Sequence, residues 1–488
     1  MLIRLRPFDT SLQTQLCLGW LFSLPSDSTD EALLRTALVE DVRAATTRVV
    51  KKWPLLAGRG VWLKEENVLG IEVPSPDKLP EKLFTFTQAV INSPCPFSRP
   101  LSSASSGFLP LPLQRHFQSS GIPRTLLGLA RKDLPLLALH STFFHDAVAF
   151  GITLPHQAFD GTGAALVVKA INSELWGLPW SPPPFEEANP LTAAIAAIAP
   201  PVGDDLPAVH DTGFVPLRFL SALKLVVRCL WEEYWWRSGQ PRYLFLRRAA
   251  VDRLVRMVKE DVRAQTDGKE YVSTSDVLTA WIYKTADSLN PNSLATQEAG
   301  GLFSTRKLVS TSSNDLALYP HNAFLPYPLF DPPVRFADFS SLSLADLALR
   351  HRHGLARSRT QPIVAAFERD VASTPHIPRR EFPLPWPFSL SWFNGKAATR
   401  ETSARGFSNN VDCGFNQLVL PDPTSAGEGK LKAPFSRISF YFINSMPLTA
   451  DHTLFVCQVE EGYVLMGSMR PEVRKAFESA AEEFDQEK

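Results

Sequence analysis

The sequence predicts an α/β protein built as two similar mixed-sheet domains, joined by a long crossover loop, with the functional channel at their interface. Three observations carry that expectation. Strand-period and helix-period apolar patterns alternate in both halves of the 488 residues, as layered sheets and helices require. Between the halves, Ser181 to Pro216 holds Pro182, Pro183, Pro184, Pro190, Pro200, Pro201, Pro207 and Pro216 with few charges, the composition of a stiff connector. Finally, the hexapeptide His156-Gln157-Ala158-Phe159-Asp160-Gly161 stands between an alternating run and a helical pattern. The division is therefore 1–180, a linker over 181–216, and 217–488.

Each element has its own signal. Leu16 to Leu24 is an apolar run behind Arg4 and Arg6 that imitates a signal peptide. Pro7 and Asp9 interrupt the imitation, so a buried strand is expected. Ser28 and Glu31 form a capping-box pattern ahead of Leu38, Val42, Ala45 and Val49, and Lys51, Lys52 and Pro54 close that helix. Gly60 to Val73 reads as a hairpin, and Asp133 to Phe150 supplies two apolar runs. Val148, Phe150, Ile152 and Leu154 alternate up to the hexapeptide; Ala164, Val168, Ile171 and Leu175 then recur at helical spacing. Inside the linker, Thr192 to Ala199 suits a short helix, and Leu220 to Trp236 suits an aromatic-rich helix packed on a domain face.

The second half opens with a strand over Tyr243 to Arg247 and a helix carrying Val251, Leu254, Val255 and Val258. Thr274 and Ser275 are placed to cap a further helix with Val277, Leu278, Trp281 and Ile282. Another helix is expected near Leu342 to Arg357, where His351 and His353 flank Arg352 on a solvated face. Strands follow at Phe435 to Ile443, Thr453 to Val459 and Gly462 to Gly467.

Composition narrows the function. Hydrophobic residues at 44% and charged residues at 20% describe a folded chain, and a formal net charge of zero argues against nucleic acid or an anionic membrane as the main partner. No apolar run reaches the length of a membrane span. The five cysteines, Cys17, Cys95, Cys229, Cys413 and Cys457, are scattered without CxxC spacing, which suits a reducing compartment such as the cytoplasm. His140 and His145 lie five apart on expected strands and face opposite sides, so no metal site is expected.

The hexapeptide, HxxxDG, places a histidine at a strand end, where a side chain is held rigidly yet faces a cavity, with an ordinary pKa suited to proton abstraction. Around it the chain resembles the BAHD acyltransferases, coenzyme-A-dependent enzymes common in fungal secondary metabolism. Leu5-Arg6-Pro7-Phe8-Asp9 resembles the family's opening strand, Trp53 to Arg59 its YPLAGR segment, and Leu134 to Phe144 the strand before the motif. Ser275 to Lys284 is similar to the helix opening the second half, Tyr319 to Ala323 to a variant of YFGNA, Ser391-Trp392 to a late Ser-Trp pair, and Asp412 to Asn416 to the DFGWG signature. That last segment keeps Asp412 and Gly414 but has Cys413, Phe415 and Asn416. The stretch Leu308 to Asn314 offers no arginine for Asp160, so its partner stays open unless Arg306 reaches.

The resemblance implies a chloramphenicol-acetyltransferase-like fold and a monomer taking acyl-CoA, acetyl-CoA first, as co-substrate, with no bound cofactor and a hydroxyl of a hydrophobic metabolite as acceptor. His156 is implied as general base and Trp392 as oxyanion donor. Asp160, Gly161, Asp412 and Gly414 are implied as structural, Ser275 and Asn322 as coenzyme contacts, and Phe415 as pocket lining. Direct transfer fits a chain without a GxSxG nucleophile motif. Two other readings remain: a condensation-type enzyme using carrier-bound thioesters, although Pro155 stands where those commonly have a second histidine, and a non-catalytic small-molecule binder.

Overall fold

The computed structural model of the chain describes residues 1–12, 14–24, 31–66, 68–98, 104–109, 114–184, 189–198, 227, 241–289, 296, 300–311, 315–373, 406–410, 413–423, 433–443 and 453–486. The alternating N-terminal segments become β1 (Leu2–Arg4), α1 (Pro7–Ser11), β2 (Gln15–Ser23), α2 (Glu31–Lys52), β3 (Arg59–Leu63) and β4 (Val68–Glu72). The run that imitates a signal peptide is thus a strand, eight of whose nine residues are buried. Helix α2 buries Leu38, Val42, Ala45 and Val49 as its spacing requires; Ser28 lies outside the described residues. The expected hairpin is β3 against β4, antiparallel, and β1 adds to its other side.

The first lobe is centred on a five-stranded sheet. Strands β5 (Thr85–Val90), β6 (Gly107–Leu109), β7 (Ala138–Phe143) and β8 (Ala147–Pro155) follow in the chain. β8 pairs with β2 from Gln15↔Pro155 to Ser23↔Ala147, and both strands are almost wholly buried. The short helix α3 (Leu126–Arg131) comes before β7, and α4 (Gly161–Trp176) leaves β8 through the hexapeptide.

Of the linker, the helix α5 (Pro190–Ile198) is described, close to the expected position. The aromatic-rich segment around Trp231, Trp235 and Trp236 lies outside the described residues. The second lobe has a seven-stranded sheet in the order β11-β10-β12-β14-β15-β9-β6. Its strands are β9 (Pro241–Arg247), β10 (Gly300–Ser304), β11 (Phe324–Pro328), β12 (Gly406–Asn410), β14 (Thr453–Val459) and β15 (Gly462–Ser468). Helices Arg248–Gln265, Thr274–Asp287 and Leu344–Ser358 pack with it. The residue that caps the second of these is Ser273, not Thr274 or Ser275: its hydroxyl accepts from the Asp276 N–H in a full capping box.

A single cut in the sequence does not separate the two cores. β13 (Arg437–Ile443), late in the chain, completes the first lobe's sheet beside β2, and β6, early in the chain, edges the second sheet beside β9. Each lobe therefore borrows a strand from the other's stretch of sequence, which fixes the lobes side by side through backbone hydrogen bonds as well as packing.

His351 departs from its expected solvated face. It is 1% exposed: Nδ1 meets Asp276 Oδ1 at 2.7 Å and Nε2 meets the Tyr327 hydroxyl at 2.8 Å. The helix turns that side inward because Ala345, Leu347, Ala348 and Gly354 share it. Burial works to raise the pKa of Asp276, but the bonds from His351 and Ser273 hold it below the usual carboxylate value. His353, two residues on and so about half a turn round, stays on the surface with Glu270.

Candidate active site

β8 ends at Pro155, and the chain turns at once: the amides of Ala158 and Phe159 both donate to the Pro155 carbonyl, at 3.0 and 3.1 Å. His156 sits at the head of this turn, its own amide bonded to the Thr14 carbonyl at 2.9 Å. Around it Leu154, Gln157, Ala158, Phe159 and Asp160 are buried, whereas His156 keeps partial exposure. Its outer edge is therefore reachable while Nδ1 is buried, with no hydrogen-bond partner among the described residues. The Phe324 ring lies 5.9 Å away, tilted at 53°.

Burial holds the His156 pKa below the ordinary histidine value. Its own backbone carbonyl, the Asp160 charge and the Asn322 side chain oppose that shift without overcoming it. A neutral imidazole near pH 7 is the form that accepts a proton.

Asp160 does not face His156's open side. Its carboxylate meets the Arg306 guanidinium in a paired arrangement, 2.8 Å on both oxygens, with side chains 5% and 6% exposed. It also caps α4 through the Gly163 amide at 2.9 Å and accepts from the Ala323 amide at 3.1 Å. The partner that the sequence left open is thus Arg306. Arg306 further donates to the carbonyls of Tyr319 and His321, so one buried cation ties the turn of the first lobe to a loop of the second.

That loop, Tyr319 to Ala323, backs the hexapeptide along its length. The Pro320 carbonyl closes over Gly163, where an added Cβ would sit 1.8 Å from the oxygen, so only glycine fits without moving backbone. His321 Nδ1 donates to the Ala158 carbonyl at 2.7 Å, and burial keeps its pKa low despite that bond. Asn322, wholly buried, donates from Nδ2 to the His156 carbonyl at 2.8 Å and the Gln157 carbonyl at 3.2 Å. Asn322, expected as a coenzyme contact, thus stands behind the turn. Its own carbonyl accepts from Arg6 Nη2 at 2.7 Å, and Arg6 is in turn paired with Asp9 and Glu368.

The other expected site residues fall in different places. Gly161 packs against Asn410 Oδ1, Cys413 Sγ and the Phe415 ring, which links the hexapeptide to the variant signature segment. Gly414 has φ +72° and starts a short turn over Phe415–Gln417, a conformation that suits glycine. Phe415 is 2% exposed and stacks on Phe440 at 5.9 Å and 18°. Its carbonyl accepts from Trp20 Nε1 at 3.0 Å. It is packed in the first core. Ser275 stays in the first turn of its helix, half-buried next to Asp276. Trp392 and Asp412 lie outside the described residues.

Sequence reasoning missed Gly163, His321 and the Arg6–Asp9 pair as parts of the site. One signal was available: Arg6 and Asp9 stand three apart around a proline at a helix start, and in the structure the Asp9 carboxylate accepts from both the Arg6 amide and its guanidinium. Nothing local marked Gly163, whose neighbour is more than 150 residues away in the chain. His140, which the sequence raised as a possible ligand, is held by Thr87 and Thr142. Among the described residues no group of His, Cys, Asp or Glu is arranged to hold a metal.

No family model matches the chain. Among curated relatives, the acetyltransferase BOT5 of Botryotinia fuckeliana is 26% identical over 166 residues, 33% of this chain and 29% of that one. The O-acyltransferase pboC of Aspergillus ustus is 26% identical over 290 residues, 57% of each. A protein named transcriptional regulator sdnM, of Sordaria araneosa, is 25% identical over 291 residues, 54% of this chain and 55% of its own. The chain thus spans about a third to just over half the length of these relatives. Over nearly full length, the structure of F. graminearum TRI101 with coenzyme A and deoxynivalenol superposes with TM-score 0.66 at 13% identity, covering 100% of this chain and 98% of that one. Vinorine synthase superposes with TM-score 0.58 at 13% identity, covering 99% and 92%. These two likenesses show the fold.

Proposed function

Because this chain has the BAHD-type fold and fungal acyltransferases among its relatives, we propose that it is an acyl-CoA-dependent O-acyltransferase acting on a hydroxyl of a hydrophobic secondary metabolite. The observation that carries this reading is His156: a half-exposed imidazole, held neutral by burial, at the head of a turn that Arg306 and Asn322 clamp from the other lobe.

In this reading His156 Nε2 takes the proton of the acceptor hydroxyl as that oxygen attacks the thioester carbonyl. The tetrahedral intermediate then expels the coenzyme thiolate, which receives the proton back from the imidazolium. The thioester is already activated, so positioning and one base suffice. Asp160 carries no proton in this scheme, since both its oxygens are engaged by Arg306 and backbone amides. Trp392 is the candidate oxyanion donor on its resemblance to the family tryptophan, an indole N–H being a donor-only group. Acetyl-CoA is the first donor to try. A single chain supplies every residue of this scheme, so we take the working unit as a monomer.

The test is turnover of acetyl-CoA, and then longer acyl-CoAs, against a panel of hydrophobic alcohols, reading free thiol release and ester formation together. His156→Ala should lower the rate by about 10² to 10⁴-fold with its thermal midpoint retained. Equal rates in parent and His156→Ala, or transfer from carrier-bound thioesters alone, would overturn it.

A further inference from the structure

The opening in front of His156 is shared with Phe324. From Leu154 to Asp160 only His156 keeps partial exposure, and from His321 to Tyr327 only Phe324 does. Their rings stand 5.9 Å apart, tilted at 53°, a separation at which two aromatic rings touch. The phenyl ring is held from behind. It meets Phe8 edge-on at 5.2 Å and 73°, and Phe8, itself buried, meets the buried Phe367 at 5.8 Å and 78°. Its backbone follows Ala323, whose amide donates to Asp160 at 3.1 Å and whose carbonyl accepts from the Thr305 amide at 2.8 Å. We propose that Phe324 is a specificity-determining residue: a fixed apolar wall beside the base, against which the carbon bearing the acceptor's reacting hydroxyl packs, and whose bulk limits what that carbon's neighbours can carry.

The chemistry of the transfer places the acceptor there. During attack the acceptor oxygen gives its proton to the imidazole and a lone pair to the thioester carbon. Its remaining bond is to the carbinol carbon, which therefore lies alongside the imidazole, where Phe324 stands. A phenyl ring offers contact to C–H groups but no hydrogen bond to a charged group, which would lose its water there without replacement. The charges behind the turn, Asp160 and Arg306, are bonded to each other. The acceptor class this wall takes is thus an alcohol whose carbons next to the hydroxyl are apolar and unbranched. Ser304 is Phe324's partner across the β10–β11 ladder and shares its face. It is exposed and carries only a hydroxymethyl group, so that flank is open to the rest of the acceptor's skeleton.

This inference rests on His156 being the base of acyl transfer. Cyclohexanol and cis-2-methylcyclohexanol differ by one methyl group next to the reacting carbon, a difference that a fitted apolar wall reads as about tenfold or more. With acetyl-CoA as donor, the parent should prefer cyclohexanol. Phe324→Ala should shift the ratio of kcat/KM toward the methylated alcohol by about tenfold, with Phe324→Leu in between. A ratio taken on one sample does not depend on how much of the variant folds. The ratio of acetyl-CoA to butanoyl-CoA should stay within about twofold, since the acyl chain lies beyond the attacking oxygen. A shift in that ratio in place of the acceptor ratio assigns the ring to the acyl chain and overturns the proposal, as do two unmoved ratios. Saturation-transfer NMR reads the contact without turnover. In protein deuterated except at its phenylalanine rings, irradiating those rings should mark the carbinol proton of cyclohexanol, and the mark should fade in Phe324→Leu. No mark in the parent, or equal marks in the two, overturns the proposal. A mark lost in Phe324→Leu from a protein that transfers no acyl group would leave this inference standing and sink the proposed function. Transfer lost in His156→Ala alongside unmoved Phe324 ratios would do the reverse.

Discussion

The clamp between Asp160 and Arg306 gives the most exacting test of this structure. Two 2.8 Å contacts join side chains that are 5% and 6% exposed, so neither charge has water to fall back on. Asp160→Asn keeps the shape but turns one amide edge toward the guanidinium, donor against donor, and leaves Arg306 an unpaired buried cation. Breaking a buried pair in this way costs about 3–5 kcal/mol, set against a net stability of about 5–15 kcal/mol for a folded chain. Arg306→Met should cost less. The remaining carboxylate keeps the Gly163 and Ala323 amides and the N-terminus of α4, which favours an anion by about 0.3–1 kcal/mol. Urea unfolding of both single variants and the double variant measures the coupling, expected at about 2 kcal/mol or more because the double variant removes the orphaned charge. Activity should fall in all three, since the turn that aims His156 loses its cross-lobe tie. A loss below about 1 kcal/mol for Asp160→Asn, with single effects that simply add, would refute the reasoning.

Gly163→Ala should cost about 1–3 kcal/mol or prevent folding, because its Cβ would lie 1.8 Å from the Pro320 carbonyl. Gly161→Ala meets the Asn410 side chain at 2.8 Å, which can swing aside, so thermal melts should rank Gly163→Ala clearly the worse. The rate against pH should keep its plateau below the ordinary histidine value near 6.5, because burial lowers the His156 pKa and the neutral ring is the active form; an acid limb at or above that value counts against the base assignment. Glu174 accepts from Arg48, Lys52 and the Trp180 indole, and although burial works the other way these bonds hold its pKa at about 2. A depressed carboxylate adds stability above its unfolded value near 4.5 and loses it as pH falls toward 2. Glu174→Gln should therefore be less stable than the parent by about 1–2 kcal/mol at pH 7, the figure discounted for half-exposed partners, with the two converging near pH 2 in urea titrations. His351→Phe should lower stability by about 1–3 kcal/mol by leaving Asp276 Oδ1 and the Tyr327 hydroxyl without their histidine partner; a change below about 0.5 kcal/mol would put the histidine back on the surface.

What the sequence determined by itself was local. Periodicity placed β2, α2, the β3–β4 hairpin, β8 and β14 within a residue or two, because an apolar repeat of two or of about three and a half is a property of neighbouring residues and one buried face. The hexapeptide stood out for the same reason, a strand pattern and a helix pattern meeting at a histidine. The tertiary structure alone decided which distant residues close the site: Arg306, 146 positions from Asp160, Asn322 behind His156, and Pro320 over Gly163. It also decided that β13 crosses to the first lobe and that His351 turns inward. Those outcomes depend on pairing across long stretches of chain, where burial and charge are settled jointly by two surfaces, and no spacing within one segment records the shape of the other.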